Sequence, residues 1–122
     1  MIDLSQCTGT ENYYKLMMNY NCTDGVKTLC EEAECYWFTD VIISYQTAKH
    51  VKAEAFQVWE LRKTDKANEA IVVATDGNDN ELVRQSIKYC DFPFGKVKGN
   101  NFTDDKATIW LVDGILLLSS EY

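Results

Sequence analysis

Ala107-Thr108-Ile109-Trp110-Leu111-Val112-Asp113-Gly114-Ile115-Leu116-Leu117-Leu118 decides the fold class. Two apolar runs flank Asp113-Gly114, and a two-residue loop of this kind marks a type I′ hairpin, in which both central residues need positive φ. Ala107 to Val112 and Ile115 to Leu118 are therefore predicted as paired antiparallel strands. A second hairpin precedes them, with Ala70 to Thr75 and Glu81 to Tyr89 flanking Asp76-Gly77-Asn78-Asp79-Asn80. Phe56 to Arg62 supplies a further strand. Its apolar residues fall on both faces, Phe56 and Val58 on one and Trp59 and Leu61 on the other, as in a central strand. Asp91-Phe92-Pro93-Phe94-Gly95 interrupts the pattern, and Lys96 to Asp105 is polar enough for an exposed loop.

Upstream of Gln46 the period changes. Val26, Leu29, Cys30 and Ala33 recur at helical spacing, so residues 24 to 33 are predicted as a helix, with Thr23 as N-cap and Asp24 in the first turn. Tyr36 to Tyr45 is apolar nearly all round, which predicts a largely buried helix whose only charge is Asp40. Tyr13 to Met18 is compatible with a short strand. Helices first and hairpins afterwards imply an α+β fold, two N-terminal helices packed on one antiparallel sheet of four or five strands. Parallel pairing is not expected, because the second half has no helical crossovers.

The chain has 122 residues, 46% of them hydrophobic, which fits one domain spanning 1–122. No basic, apolar leader opens the sequence and the longest apolar run is Ile115 to Leu118, so a soluble, cytoplasmic protein is expected. Cys7, Cys22, Cys30, Cys35 and Cys90 form an odd set without C-x-x-C spacing; reduced, buried thiols are the expectation.

Charge is the strongest functional signal: 19 acidic against 12 basic residues, a formal net charge of -7. Such a surplus repels nucleic acid and anionic membranes, steers basic partners inward, and also serves solubility. The aromatic residues do not reverse this reading, since stacking platforms for single strands are paired with basic grooves. Trp37, Trp59 and Trp110 each lie among apolar residues in a predicted element and read as core.

Catalytic constellations are missing from the sequence pattern. His50 is the only histidine and stands between lysines, which disfavour the imidazolium that a catalytic base must carry. Asp76-Gly77-Asn78-Asp79-Asn80 opens like a calcium loop, but Glu81 occupies the glycine position and Ile87 the bidentate glutamate position, leaving an ordinary turn. There is no metal-ligand spacing, Walker loop or G-x-S-x-G element, and no cofactor is expected.

In ordered motifs the chain resembles a family of small bacterial and mobile-element proteins, from phages or plasmids, known only as a domain of unknown function. The residues that carry the resemblance are Thr8 to Tyr14, Thr23 to Lys27, Tyr36-Trp37 with Asp40, and Ser44-Tyr45-Gln46. Further on they are Phe56 to Trp59, Asp76-Gly77-Asn78, Asp91-Phe92-Pro93, and Trp110-Leu111 through Asp113-Gly114 to Ser120-Glu121-Tyr122. The pattern departs at Met17 to Cys22, and at Ser119, where the family has proline. The resemblance implies phage or mobile-element origin in a bacterial host and supplies no activity. Small acidic proteins of such elements include inhibitors of host defence, among them anti-CRISPR proteins.

The leading expectation is a non-enzymatic, acidic module that occupies a basic surface on a protein partner. Its binding groups are taken to be Glu31, Glu32 and Glu34 at the end of the first helix, with Asp104 and Asp105 before the last hairpin. The alternative is a small enzyme with a dispersed site that recruits Asp40, Glu11 or Cys35, in which an inward, desolvated Asp40 suits a general base. A homodimer through an exposed edge strand is the third reading.

Overall fold

The computed structural model describes residues 1–122. In chain order the strands and helices are β1 (Ile2–Asp3), β2 (Tyr13–Lys15), β3 (Asn21–Thr23), α1 (Asp24–Glu32), α2 (Tyr36–Ser44) and α3 (Lys49–Lys52). They continue with β4 (Phe56–Lys63), β5 (Ala70–Thr75), β6 (Glu81–Ile87), β7 (Val97–Lys98), β8 (Lys106–Val112) and β9 (Ile115–Leu117). The main sheet has seven strands in the order β2-β3-β9-β8-β4-β5-β6, and β1 and β7 form a separate pair.

The predicted α+β class and both hairpins are present, whereas the topology differs from the expected helix pair followed by a four- or five-stranded sheet. Two strands of the main sheet precede the helices, and β3 runs parallel to β9. The whole chain between them, helices included, is the crossover that parallel pairing requires. Periodicity did not reveal β1, β3 and β7, because two or three residues are too short to display a period of two. The parallel β1–β7 pair is tied by Ile2 N–H to Lys96 O at 2.8 Å and Leu4 N–H to Lys98 O at 2.7 Å. It buries Leu4 and Val97 and thereby orders part of the segment expected to be an exposed loop.

β4 is central, paired antiparallel with β5 on one side and β8 on the other. Gln57, Trp59 and Leu61 point into the core beside Val72, Ala74, Ile109 and Leu111, where Val26, Leu29, Phe38 and Ile42 of α1 and α2 meet them. Phe56, Val58 and Glu60 point to the other face and are half-buried. There Phe56 and Trp110 lie edge-on with centroids 5.0 Å apart, and Tyr122 packs on Trp110 at 5.5 Å. Of the three tryptophans expected in the core, only Trp59 is fully buried; Trp37 and Trp110 are half-buried. The deciding turn is as predicted, with positive φ at Asp113 (51°) and Gly114 (81°).

Two buried glutamines fix the helical half to the sheet. Gln46 Nε2 donates to Gln57 Oε1 at 2.9 Å and to Ile42 O at 3.0 Å, and Gln57 Nε2 donates back to Gln46 Oε1 at 3.0 Å. Gln57 Oε1 also accepts from Trp59 Nε1 at 2.9 Å. Such a closed amide pair avoids the penalty of an unpartnered buried polar group.

Candidate functional site

α1 has two contrasting ends. At its start, three of the four N–H groups left over by helix geometry each find a side-chain acceptor from a different segment. Asp24 N–H donates to Thr10 Oγ1 at 2.9 Å, Gly25 N–H to Glu121 Oε2 at 3.0 Å, and Val26 N–H to Thr23 Oγ1 at 3.4 Å. Glu121 Oε1 accepts from Thr23 Oγ1 at 2.6 Å and from Leu118 N–H at 2.9 Å. Position 25 must be glycine for this approach, since a Cβ there would lie 2.7 Å from both Glu121 Oε1 and Leu118 Cδ1. Asp24 is engaged as well, accepting from Glu11 N–H at 2.9 Å, Asn12 N–H at 3.4 Å and the Tyr14 hydroxyl at 2.9 Å. These bonds, the Glu11 amide foremost, hold its carboxyl below the usual 3.8. Three of the stretches that carry the family resemblance thus converge on one structural clasp.

The other end of α1 carries Glu31 and Glu32 in its last turn, no basic residue, and Glu34 just beyond. All three glutamates are exposed, as expected. Helix physics opposes this placement. The partial negative charge at a helix C-terminus disfavours carboxylates, each by about 0.3–1 kcal/mol when exposed. Glu34 also occupies the left-handed position that follows a helix, φ 53°, where glycine is the usual residue. Only Glu31 has a local counter-charge, Lys27 Nζ at 2.9 Å, a pair whose Lys-before-Glu order is the weaker one.

The chain then turns into α2 and exposes aromatic surface beside the glutamates. Cys30, Glu31, Glu34, Tyr36 and Trp37 line a depression of about 520 Å³. Trp37 also lines a second one of about 480 Å³ with Asn68, Tyr89, Cys90 and Asp91, so the two adjoin. Tyr89 is 94% exposed and Asp91 is exposed. Asp40 is exposed too, and lies one turn from Tyr36 and Trp37 on the same side of α2. The result is a surface of half-buried and exposed aromatic rings ringed by Glu31, Glu34, Asp40 and Asp91, with Glu32 next to it in sequence. Burial, with the Glu31 carboxylate second, pushes the Tyr36 hydroxyl up.

The structure does not join the other predicted acids to this face. Asp105 shares a depression with Arg62, Lys63, Thr103 and Lys106, whose cations offset its charge, and it accepts from Thr103 Oγ1 at 2.8 Å. Asp104 is exposed beside Gly95. Sequence reasoning missed Tyr36, Trp37, Tyr89 and Asp91. Trp37 read as core because its apolar neighbours hide the outward stripe Tyr36, Asp40, Ser44, and Tyr89 was assigned to a strand that ends at Ile87.

Asp40, the centre of the alternative enzyme reading, is exposed and does not line either of the two depressions that Trp37 borders. The Asp76 loop uses its carboxylate internally, accepting from Asn78 N–H at 2.8 Å and Asn80 Nδ2 at 2.7 Å, as a turn and not an ion cradle. His50 is exposed and its Nε2 lies 3.1 Å from Leu82 O. The five cysteines are free thiols, four of them buried, and burial raises Cys22 to about 11. No group of His, Cys, Asp or Glu side chains is arranged to hold a metal. No helix is long and apolar enough to cross a membrane. A cleft of about 490 Å³ is lined in part by Gln46 and Gln57, whose amides already bond each other.

No curated protein and no solved structure matches the chain. The model of one family does match, over residues 2–122, and the chain belongs to that family, DUF6876, a family of unknown function.

Proposed function

We propose that this protein is a non-enzymatic binding module that docks the acidic and aromatic face at the α1–α2 junction onto a basic surface of a protein partner. The observation that carries the reading is the position of Glu32 and Glu34. Both sit where helix physics disfavours them, one at the negative end of α1 and one in left-handed backbone, beside exposed Tyr36 and half-buried Trp37. Stability alone does not account for that choice. Aromatic anchors framed by charge suit protein recognition, the rings supplying contact area and the carboxylates supplying steering and register. In the bacterial and mobile-element setting that the resemblance implies, basic nucleic-acid-binding clefts of host defence proteins, CRISPR effectors included, are fitting targets.

The test compares the wild type, the triple reversal Glu31→Lys, Glu32→Lys, Glu34→Lys, and Trp37→Ala as bait in a bacterial lysate, with the retained partner identified and its affinity then measured in purified form. The reading predicts that both variants lose the partner. It also predicts that 1 M salt, where the Debye length is about 3 Å, mimics the reversal. A partner held equally by all three baits and at 1 M salt contradicts it. Self-association is the third reading. The main sheet ends in β2 and β6, and β6 presents the exposed pair Glu81–Arg84 (2.7 Å), the kind of edge charge that discourages strand addition.

A further inference from the structure

We propose that Cys30 and Cys35 are a dithiol that closes to an intramolecular disulfide when the folded protein meets a low-molecular-weight disulfide such as oxidised glutathione, making the α1–α2 turn a redox modification site. Their i, i+5 spacing does not bring side chains together on a continuous helix. The ending of α1 does. Glu34, in left-handed backbone, folds the chain back so that Cys35 N–H donates to Cys30 O at 3.0 Å. This is the hydrogen bond of a Schellman ending, in which the donating and accepting residues commonly bring their side chains into contact. A direct backbone bond between the two residues also keeps their Cα atoms within the roughly 4.4–6.8 Å that a disulfide spans.

The thiols follow the backbone. Cys30 Sγ lies 3.9 Å from Cys35 O and Cys35 Sγ lies 3.9 Å from Leu29 O, so each thiol packs against the backbone beside the other cysteine. Both residues are fully buried. The surface nearest Cys30 is the depression of about 520 Å³ that it lines with Glu31, Glu34, Tyr36 and Trp37, and a small reagent reaches the buried thiol from there when the turn opens locally.

In the first step the Cys30 thiol loses its proton and its sulfur attacks one sulfur of oxidised glutathione. A Cys30–glutathione bond forms, and one glutathione leaves as thiolate and takes up that proton. In the second step Cys35, losing its own proton, attacks Cys30 Sγ and expels the second glutathione, which is protonated in turn. Two protein thiols are oxidised and one external disulfide is reduced to two thiols. The Cys35 hydrogen bond and burial push the Cys30 thiol up, so little thiolate is available at neutral pH and the exchange is slow.

The test is peptide mapping after incubating the folded protein with oxidised glutathione, quenching in acid, unfolding and alkylating. Trypsin releases residues 28–49 as one peptide that contains Cys30 and Cys35 and no other cysteine. The expected result is a peptide lighter by two hydrogens that has lost both alkylations, with both restored by dithiothreitol. The Cys35→Ser variant should instead carry one glutathione on Cys30. A wild-type peptide still alkylated twice, one carrying glutathione on both cysteines, or one cross-linked to Cys22 or Cys90 would overturn the proposal, and this wild-type measurement decides it even if the variant fails to fold.

Discussion

The two ends of α1 both gather carboxylates, and they do so to opposite effect. At the N-terminus Asp24 and Glu121 accept four hydrogen bonds from main-chain N–H groups and two from hydroxyls, at the end of a helix that favours negative charge. At the C-terminus Glu31, Glu32 and Glu34 face a helix end that disfavours it, and only Glu31 has an ion-pair partner. The first end is an account of the fold. The second is a departure from fold optimisation, and such departures are where function is to be sought.

The largest effect is expected from breaking the clasp. Glu121→Ala leaves Gly25 N–H, Leu118 N–H and the Thr23 hydroxyl without their acceptor, and should cost on the order of 3 kcal/mol in urea unfolding, with Glu121→Gln recovering part of it. Gly25→Ala should approach the same loss, about 1–3 kcal/mol, because the new methyl displaces Glu121 and Leu118. A neutral result for both would dissolve the contrast between the two ends.

Left-handed backbone offers a sharper comparison, because the same rule can be read in both directions. Gly114→Val has open space around the new side chain, so its cost of about 1–3 kcal/mol would come from φ alone. Glu34→Gly relieves the same kind of strain and should gain up to about 1 kcal/mol. Thermal melts of the two variants should therefore move in opposite directions.

Acid separates the two ends again. Because the folded protein holds the Asp24 carboxyl below its ordinary value of 3.8, the stability it contributes is present above that value and lost as pH falls through the lowered one. Asp24→Asn should destabilise the protein at neutral pH, and the gap to the wild type should shrink below about pH 4. A gap of constant size from neutral pH to pH 2 would show that the carboxylate of Asp24 does not act through these bonds. The smallest effect is Glu32→Lys, a gain of about 0.3–1 kcal/mol from reversing the charge at the negative end of α1.

The strands that could be read from the sequence are those long enough to show a period. β5 was predicted to the residue, and β4, β8 and β9 to within one residue at either end, as were α1 and α2. β1, β3 and β7 were hidden because they are too short to show a period, and because the β1–β7 and β3–β9 pairs are parallel and join distant parts of the chain, so no local turn announces them. Thr23 was legible as an N-cap. Glu121 as a second acceptor was not, since 96 positions separate it from Gly25 N–H. At the candidate site the glutamates were legible from charge, whereas Trp37 and Tyr89 were masked by apolar neighbours that made them look interior.

The most direct test of the central claim is one variant measured in two ways: Glu32→Lys with Glu34→Gly, scored for thermal stability and for retention of the partner that the wild type captures. The account predicts a higher melting temperature, by roughly 3–5 °C for each kcal/mol gained in a chain of this length, together with weaker retention. A variant that melts no higher, or that is more stable and holds the partner as well as the wild type does, would contradict the claim that these glutamates serve binding at the expense of the helix.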